Sequence, residues 1–188
     1  MKAKIIGLLA LALLAGPMTA DAGLIGQQFS AGYYVPDTSS PYGGASFDPS
    51  SFVVGAGIET TGTVEGKTTI PVNFTDAALN VVLNTTISSP DIPKWYPATF
   101  NGIIFTATLP HGIASATVVD ASTSLTGFDN SRISFSASQI LLNWQGLAYN
   151  SRDTVTINFT FAPVPEPGTL ALLGLGLLGL GVTRRKVA

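Results

Sequence analysis

The sequence predicts an all-β fold: a single-domain antiparallel β-sandwich or jelly roll, flanked by a signal peptide and a C-terminal transmembrane helix. Three observations carry that prediction. Apolar residues in the middle of the chain recur with period two, the signature of strands that bury one face. Turn-forming clusters punctuate that region at short intervals. No stretch of it shows an apolar stripe at helical spacing over about ten residues or more.

The front end sets the first boundary. Lys2 and Lys4 precede an apolar run from Ile5 to Ala15, followed by Gly16, Pro17 and a small-residue stretch ending at Ala22. A positive start, a short apolar core and a small-x-small exit form a secretion signal. Ala20 and Ala22 fit the recognition positions of signal peptidase, which places the cut before Gly23. An anchor helix is the competing reading, but that run would rise only about 16 Å, roughly half the hydrocarbon core.

Residues 23–163 then form the expected domain. Its first part, Gly23 to Pro49, holds Tyr33, Tyr34, Pro36, Pro41, Gly43 and Gly44 and reads as a loop or edge segment. Phe52–Ile58 is the first strand candidate. Ile70, Val72 and Phe74 alternate next, and Leu79–Ile87 follows. Ile103, Phe105, Ala107 and Leu109 alternate with Ile104, Thr106 and Thr108. Ile113–Ser124, the pair Ile133 and Phe135, and Gln139–Trp144 come after. The last set is the clearest, with Val155, Ile157, Phe159 and Phe161 opposite Thr154, Thr156, Asn158 and Thr160. About seven to nine strands result, a sandwich-sized number. The turns fall at Pro90–Pro97, Pro110–Gly112, Gly127–Asn130 and Tyr149–Asp153.

The back end, residues 164–188, has a different composition. Val164, Pro165, Glu166 and Pro167 precede an apolar run from Leu170 to Val182, and Arg184, Arg185 and Lys186 close the chain. Residues before proline are pushed to extended backbone, whereas Pro167 can open a helix because its missing N–H would be unpaired there. As a helix the apolar run spans about 20 Å, short for a bilayer but bridgeable by thinning and by snorkelling cations. Those cations stay on the cytoplasmic side, so residues 23–163 are expected outside the inner membrane.

That order of elements resembles the PEP-CTERM sorting signal: the Val164–Pro167 motif, a short Leu/Gly-rich span and a basic cluster at the end. The resemblance covers about 25 residues plus the signal peptide. It implies an exosortase-type transpeptidase of the inner membrane as partner, with removal of the tail near the motif. It further implies delivery to the cell surface or the exopolysaccharide matrix, after a precursor stage held in the inner membrane. It implies nothing about the domain in front of it. Gly174, Gly176 and Gly179 match a dinucleotide-binding pattern in letters only, since no strand, helix and distant acid surround them.

Charge and composition exclude several functions. Between residues 23 and 163 the cations are Lys67, Lys94, Arg132 and Arg152. They face nine carboxylates: Asp37, Asp48, Glu59, Glu65, Asp76, Asp91, Asp120, Asp129 and Asp153. A net charge near −5 disfavours nucleic acid as a partner. The chain has no cysteine, which excludes disulfides, thiol nucleophiles and Cys-ligated metals. One histidine, His111, cannot build a histidine metal site and reads as a solvated turn residue.

The carboxylates are dispersed. Asp129 and Asn130 could offer oxygens to Ca²⁺, but their spacing fits turn-forming Asx residues better. No cofactor and no metal ligand set is expected. Asn73, Asn84 and Asn158 match glycosylation acceptors in letters, as Asn- and Thr-rich strands do by chance.

Aromatics offer the better surface feature. Trp95 and Tyr96, in a proline-bounded loop, are the candidate glycan contacts, with Tyr33 and Tyr34 a second pair. Adjacent residues on extended backbone point opposite ways, so one of Trp95 and Tyr96 should pack inward. Trp144 belongs to the core, on one face with Ile140 and Leu142.

The expected function is therefore a non-catalytic surface or matrix module that contacts exopolysaccharide. The alternatives are a small secreted glycan hydrolase using dispersed carboxylates and a permanently membrane-anchored periplasmic protein.

Overall fold

The computed structural model describes residues 23–87 and 91–163. Within them the chain forms β1 (Gln28–Tyr34), β2 (Ala45–Asp48), β3 (Ser51–Val53), β4 (Thr60–Val64), β5 (Thr68–Phe74) and β6 (Ala78–Thr85). There follow β7 (Gly102–Ala107), β8 (Ile113–Val118), β9 (Ile133–Phe135), β10 (Gln139–Asn143) and β11 (Asp153–Phe161). Short 3-10 turns cover Asp120–Ser122 and Asn130–Arg132.

Two antiparallel sheets result. One has five strands in the order β3-β1-β7-β10-β9; the other has six in the order β2-β4-β5-β6-β11-β8. The chain moves repeatedly between them, while β4, β5 and β6 run consecutively as a meander. Gly23–Ala162 forms one compact unit.

The core lies between the sheets because each strand's inward positions are apolar. Phe29 on β1 and Phe105 on β7 meet Phe74 on β5 across the interface. Phe29 and Phe74 stack at 5.2 Å between centroids, and Phe105 meets Phe74 edge-on at 5.1 Å. All three are fully buried, each worth about 1.5–3 kcal/mol in removal of apolar surface from water. The period-two alternation of β11 is realised in space: Val155, Ile157 and Phe159 are buried and Thr156 and Asn158 are not.

Several expected elements differ from the structure. The segment read as loop or edge contains β1, an interior strand paired with both β3 and β7. Gln28–Tyr34 does alternate, with Phe29 and Tyr33 buried. The neighbouring Gly and Pro residues mask that pattern in sequence. β4 was not expected because its inward residues are Thr60, Gly62 and Val64, of which only one is strongly apolar. The hydroxyl of Thr60 donates to the Pro49 carbonyl at 2.7 Å, which satisfies it on the inner face.

The strand expected over Phe52–Ile58 stops at Val53. The chain then loops, leaving Ile58 exposed. The one expected over Ile113–Ser124 stops at Val118, where the 3-10 turn begins. Leu109, expected to face inward, is 73% exposed: β7 ends at Ala107, and Pro110, which has no N–H, cannot carry the ladder on. Phe135 is exposed too, on a three-residue edge strand.

β7 is buried on both faces. Outward-pointing Ile104 pairs with Gly32 of β1 and Leu141 of β10, and the space over that glycine is taken by the Tyr34 ring, 2.9 Å from where a Cβ would stand. Gly102 permits a closer approach: a Cβ there would stand 1.8 Å from the Leu142 carbonyl oxygen.

Candidate functional site

The loop between β6 and β7 places both expected aromatics at one site. Its backbone is pinned to the segment before β11. Trp95 N donates to the Leu147 carbonyl at 2.9 Å, Gly146 N donates to the Trp95 carbonyl at 3.1 Å, and Tyr149 N donates to the Pro93 carbonyl at 3.1 Å. Extended backbone then sends adjacent side chains opposite ways. Trp95 is 6% exposed and Tyr96 is 71% exposed.

Trp95 enters an aromatic stack. Its ring lies 4.7 Å from that of Tyr149 and nearly parallel to it, and 5.6 Å from that of Trp144. Tyr33, at the end of β1, tilts against both tryptophans. Polar atoms within the stack are mostly paired. Trp144 Nε1 donates to the Tyr33 hydroxyl at 2.7 Å, and that hydroxyl donates to Asn101 Oδ1 at 2.7 Å. Asn101 Nδ2 donates to the Tyr96 carbonyl at 2.9 Å. The Tyr149 and Thr68 hydroxyls share a bond of 2.7 Å. The indole Nε1–H of Trp95 is buried with no partner.

Burial pushes the Tyr33 phenol well above its ordinary value of 10.0, although the Trp144 N–H works against the shift. Burial raises Tyr149 as well, against the Thr68 and Thr85 hydroxyls. These phenols are neutral donors and acceptors, not acids.

A pocket of about 530 Å³ opens over this stack, a size typical of small-molecule sites. Tyr33, Tyr42, Trp95, Tyr96 and Tyr149 line it together with Asn101, Thr68, Glu65, Lys67 and Lys94. The β4–β5 hairpin supplies Glu65 and Lys67. Glu65 and Gly66 both take the left-handed backbone that a tight hairpin turn of this hand requires, at φ of 52° and 62°. The Tyr42 hydroxyl donates to the Glu65 carboxylate, which raises that phenol's pKa.

The structure thus brings Trp95, Tyr96 and Tyr33 to one place. Tyr34 does not line the pocket. Sequence reasoning missed Tyr42, Tyr149, Asn101 and the charged trio of Glu65, Lys67 and Lys94. The hairpin signal at Glu65 and Gly66 could have pointed to Lys67, and adjacency to Trp95 to Lys94. Trp144 is fully buried, as its alternation with Ile140 and Leu142 suggested.

His111 departs from expectation. It is 2% exposed, not solvated. Its ring lies parallel to Phe29, Nδ1 accepts from Ile113 N at 3.1 Å, and Nε2 faces the Gln139 carbonyl at 3.4 Å. Burial lowers its pKa from 6.5, against the opposing pull of the Gln139 carbonyl.

Asp129 and Asn130 are committed locally. Asp129 Oδ1 accepts from Ser131 N at 2.8 Å, and Asn130 Oδ1 accepts from Val118 N at 2.7 Å. Among the described residues no three His, Cys, Asp or Glu side chains converge as a metal site. Among them, too, no helix is long and apolar enough to cross a membrane. The expected cleavage residues Ala20 and Ala22, the motif Val164–Pro167, the span Leu170–Val182 and the cluster Arg184–Lys186 lie outside the described residues. Gly23, the first described residue, gives its carbonyl to Gln27 Nε2 at 2.7 Å.

Residues 163–186 match the family model of the PEP-CTERM protein-sorting motif. The chain therefore carries this motif at its C-terminal end, and the motif implies an exported protein recognised by exosortase. No curated protein and no solved structure matches the chain.

Proposed function

We propose that residues 23–163 are a non-catalytic module of the cell surface or extracellular matrix, which contacts exopolysaccharide through the aromatic pocket. In this reading signal peptidase cuts before Gly23, and the precursor is held in the inner membrane by the span Leu170–Val182. An exosortase-type cut near Val164–Pro167 then releases the module outward. The sorting motif supports the route. The observation that carries the binding role is Tyr96, an exposed aromatic on the rim of a pocket floored by buried aromatics. Flat ring faces of this kind suit the C–H faces of sugars, and the paired hydroxyls and amide beneath can orient a ligand's oxygens.

The pocket favours binding over cleavage. Glycoside hydrolysis ordinarily uses two carboxyl groups flanking the scissile bond. Glu65 is the one carboxylate in this lining, and Tyr42 already engages it.

The test of the binding role is retention on host exopolysaccharide. Tyr96→Ala should abolish retention while leaving thermal stability unchanged, because Tyr96 is exposed. Trp95→Ala would be a poor probe, since it empties part of the buried stack. Retention equal to that of the unaltered protein would remove the pocket from the account. Intact-mass measurement of the protein from its native host tests the route. A C-terminus near Pro165 or Pro167 is expected, and a mass that includes Arg184–Lys186 would favour a permanent anchor.

A further inference from the structure

Building on the glycan-pocket reading above, we infer that the pocket selects an acidic saccharide, a sugar ring bearing a carboxylate. The charge distribution is the ground for this. The domain is acidic, and its cations are Lys67, Lys94, Arg132 and Arg152. Two of these four, Lys67 and Lys94, line the one aromatic pocket described here. They come from different parts of the chain, Lys67 from the β4–β5 hairpin and Lys94 from the proline-bounded loop.

The single carboxylate of the lining is already engaged. Glu65 accepts from the Tyr42 hydroxyl, a neutral donor, so the two lysines outnumber the one carboxylate of the lining. Among the described residues neither ammonium makes a salt bridge. The pocket is thus a local positive site on a negative surface, a pattern that draws an anionic group into it.

The aromatic walls define the rest of the ligand. A bare inorganic anion would leave Tyr96, Tyr42 and the Trp95–Tyr149 stack without use. A neutral sugar would leave both ammonium groups without use. A uronate-type ring answers both: its C–H face lies on an aromatic face, and its carboxylate accepts charge-assisted hydrogen bonds from a lysine. The free lone pairs of Glu65 remain for ring hydroxyls.

The experiment compares ligands that differ only in charge. The full chain, held in uncharged detergent micelles, is titrated calorimetrically with trigalacturonate, with its fully methyl-esterified form and with a neutral galactose trisaccharide. The acid form should bind at least about tenfold more tightly than the ester in low salt. That preference should shrink as salt screens the lysines. The double change Lys67→Ala and Lys94→Ala should erase it without lowering the melting temperature, and Lys→Arg at both positions should preserve it.

Equal affinity for acid and ester, lost in Tyr96→Ala, would overturn the charge inference and leave the glycan pocket standing. No binding of these sugars or of a wider panel of neutral and acidic oligosaccharides would overturn both. The acid–ester comparison needs no variant, so a folding defect cannot obscure it.

Discussion

The indole N–H of Trp144 donates to the Tyr33 hydroxyl at 2.7 Å, inside a stack whose neighbouring indole, Trp95, donates to nothing. The Tyr33 hydroxyl in turn donates to Asn101 Oδ1, and Asn101 Nδ2 donates to the Tyr96 carbonyl. A continuous chain of hydrogen bonds therefore runs from a fully buried tryptophan to the backbone of the exposed tyrosine on the pocket rim. The loop tip is positioned by the core, which lowers the ordering cost that a flexible loop would bring to binding.

This asymmetry between two stacked tryptophans predicts different responses to the same substitution. Trp144→Phe removes packing and also a buried hydrogen bond, whose net worth is about 0.5–1.5 kcal/mol. Trp95→Phe removes packing but relieves an unpaired donor, and the phenyl ring can still lie against Tyr149. Urea unfolding should find Trp144→Phe the more destabilised by about 1.5–4.5 kcal/mol, the bond plus the penalty avoided in the other variant. Equal losses would mean that the Trp144–Tyr33 bond contributes nothing net.

His111 predicts an acid-sensitive domain. Its Nδ1 must stay unprotonated to accept from Ile113 N, and burial holds its folded pKa below 6.5. Below pH 6.5 the unfolded chain takes up a proton that the folded one refuses, so stability rises with pH in that window. It is complete above 6.5, falls as pH drops toward the folded pKa, and levels off beneath it. Asp37 and Asp129, lowered by their Ser39 and Ser131 hydrogen bonds, titrate in a separate window below 3.8. Melting temperatures between pH 7 and 5 should fall for the unaltered protein. His111→Asn can keep an acceptor toward Ile113 N without a titrating ring, and its profile should be flat there, though its melting temperature is lower throughout for want of the Phe29 stack.

Gly102 predicts an intolerant position. It pairs with both Tyr34 and Asn143, and an added Cβ would sit 1.8 Å from the Leu142 backbone carbonyl oxygen. Backbone cannot swing aside as a flexible side chain can, so β7 and β10 would have to separate. Gly102→Ala should cost about 3 kcal/mol or more, in the range of severe overpacking. Gly43→Ala, with nothing within 4 Å of the new atom, is the control. Limited proteolysis should degrade the first variant rapidly and leave the second resistant. Similar resistance in both would show that the β7–β10 pairing yields more easily than its geometry implies.

How much of this was legible in sequence follows from which interactions are local. β11 and the Ile70–Phe74 part of β5 could be read because their inward residues are apolar, and period two is a property of neighbouring residues. β1 and β4 could not: Gly32 faces a partner strand far along the chain, and Thr60 sits inward only because the Pro49 carbonyl takes its hydroxyl. The opposed directions of Trp95 and Tyr96 were legible for the same local reason as β11. Their companions were not. Tyr33, Lys67 and Tyr149 reach the pocket through pairings of β1 with β7 and β4 with β5, and through bonds between the Trp95 loop and Gly146–Tyr149. No spacing within one segment encodes those meetings. His111 was misread likewise: Pro110 and Gly112 mark a turn, but contact with Phe29 and Gln139 is what buries it.

Glu59 predicts a strand end held by a side chain. The β4–β5 ladder ends at the Thr60–Val72 pair, which leaves the Phe74 N–H beyond the last strand partner. The Glu59 carboxylate fills that place: Oε2 accepts from Phe74 N at 2.7 Å, and Oε1 accepts from Gly55 N at 3.1 Å. One side chain thus ties the β3–β4 loop to the strand that carries Phe74, the ring on which Phe29 and Phe105 converge. Hydrogen bonds to a charged acceptor contribute about 1.5–3 kcal/mol, so Glu59→Ala should destabilise by about that amount. Glu59→Gln keeps one acceptor oxygen and should lose about half as much. Hydrogen exchange at the Phe74 amide separates this from a general loosening. It should quicken well before exchange at Val81 on the neighbouring strand, whereas a uniform rise at both would mean that Glu59 acts on the whole sheet and not on the end of β5.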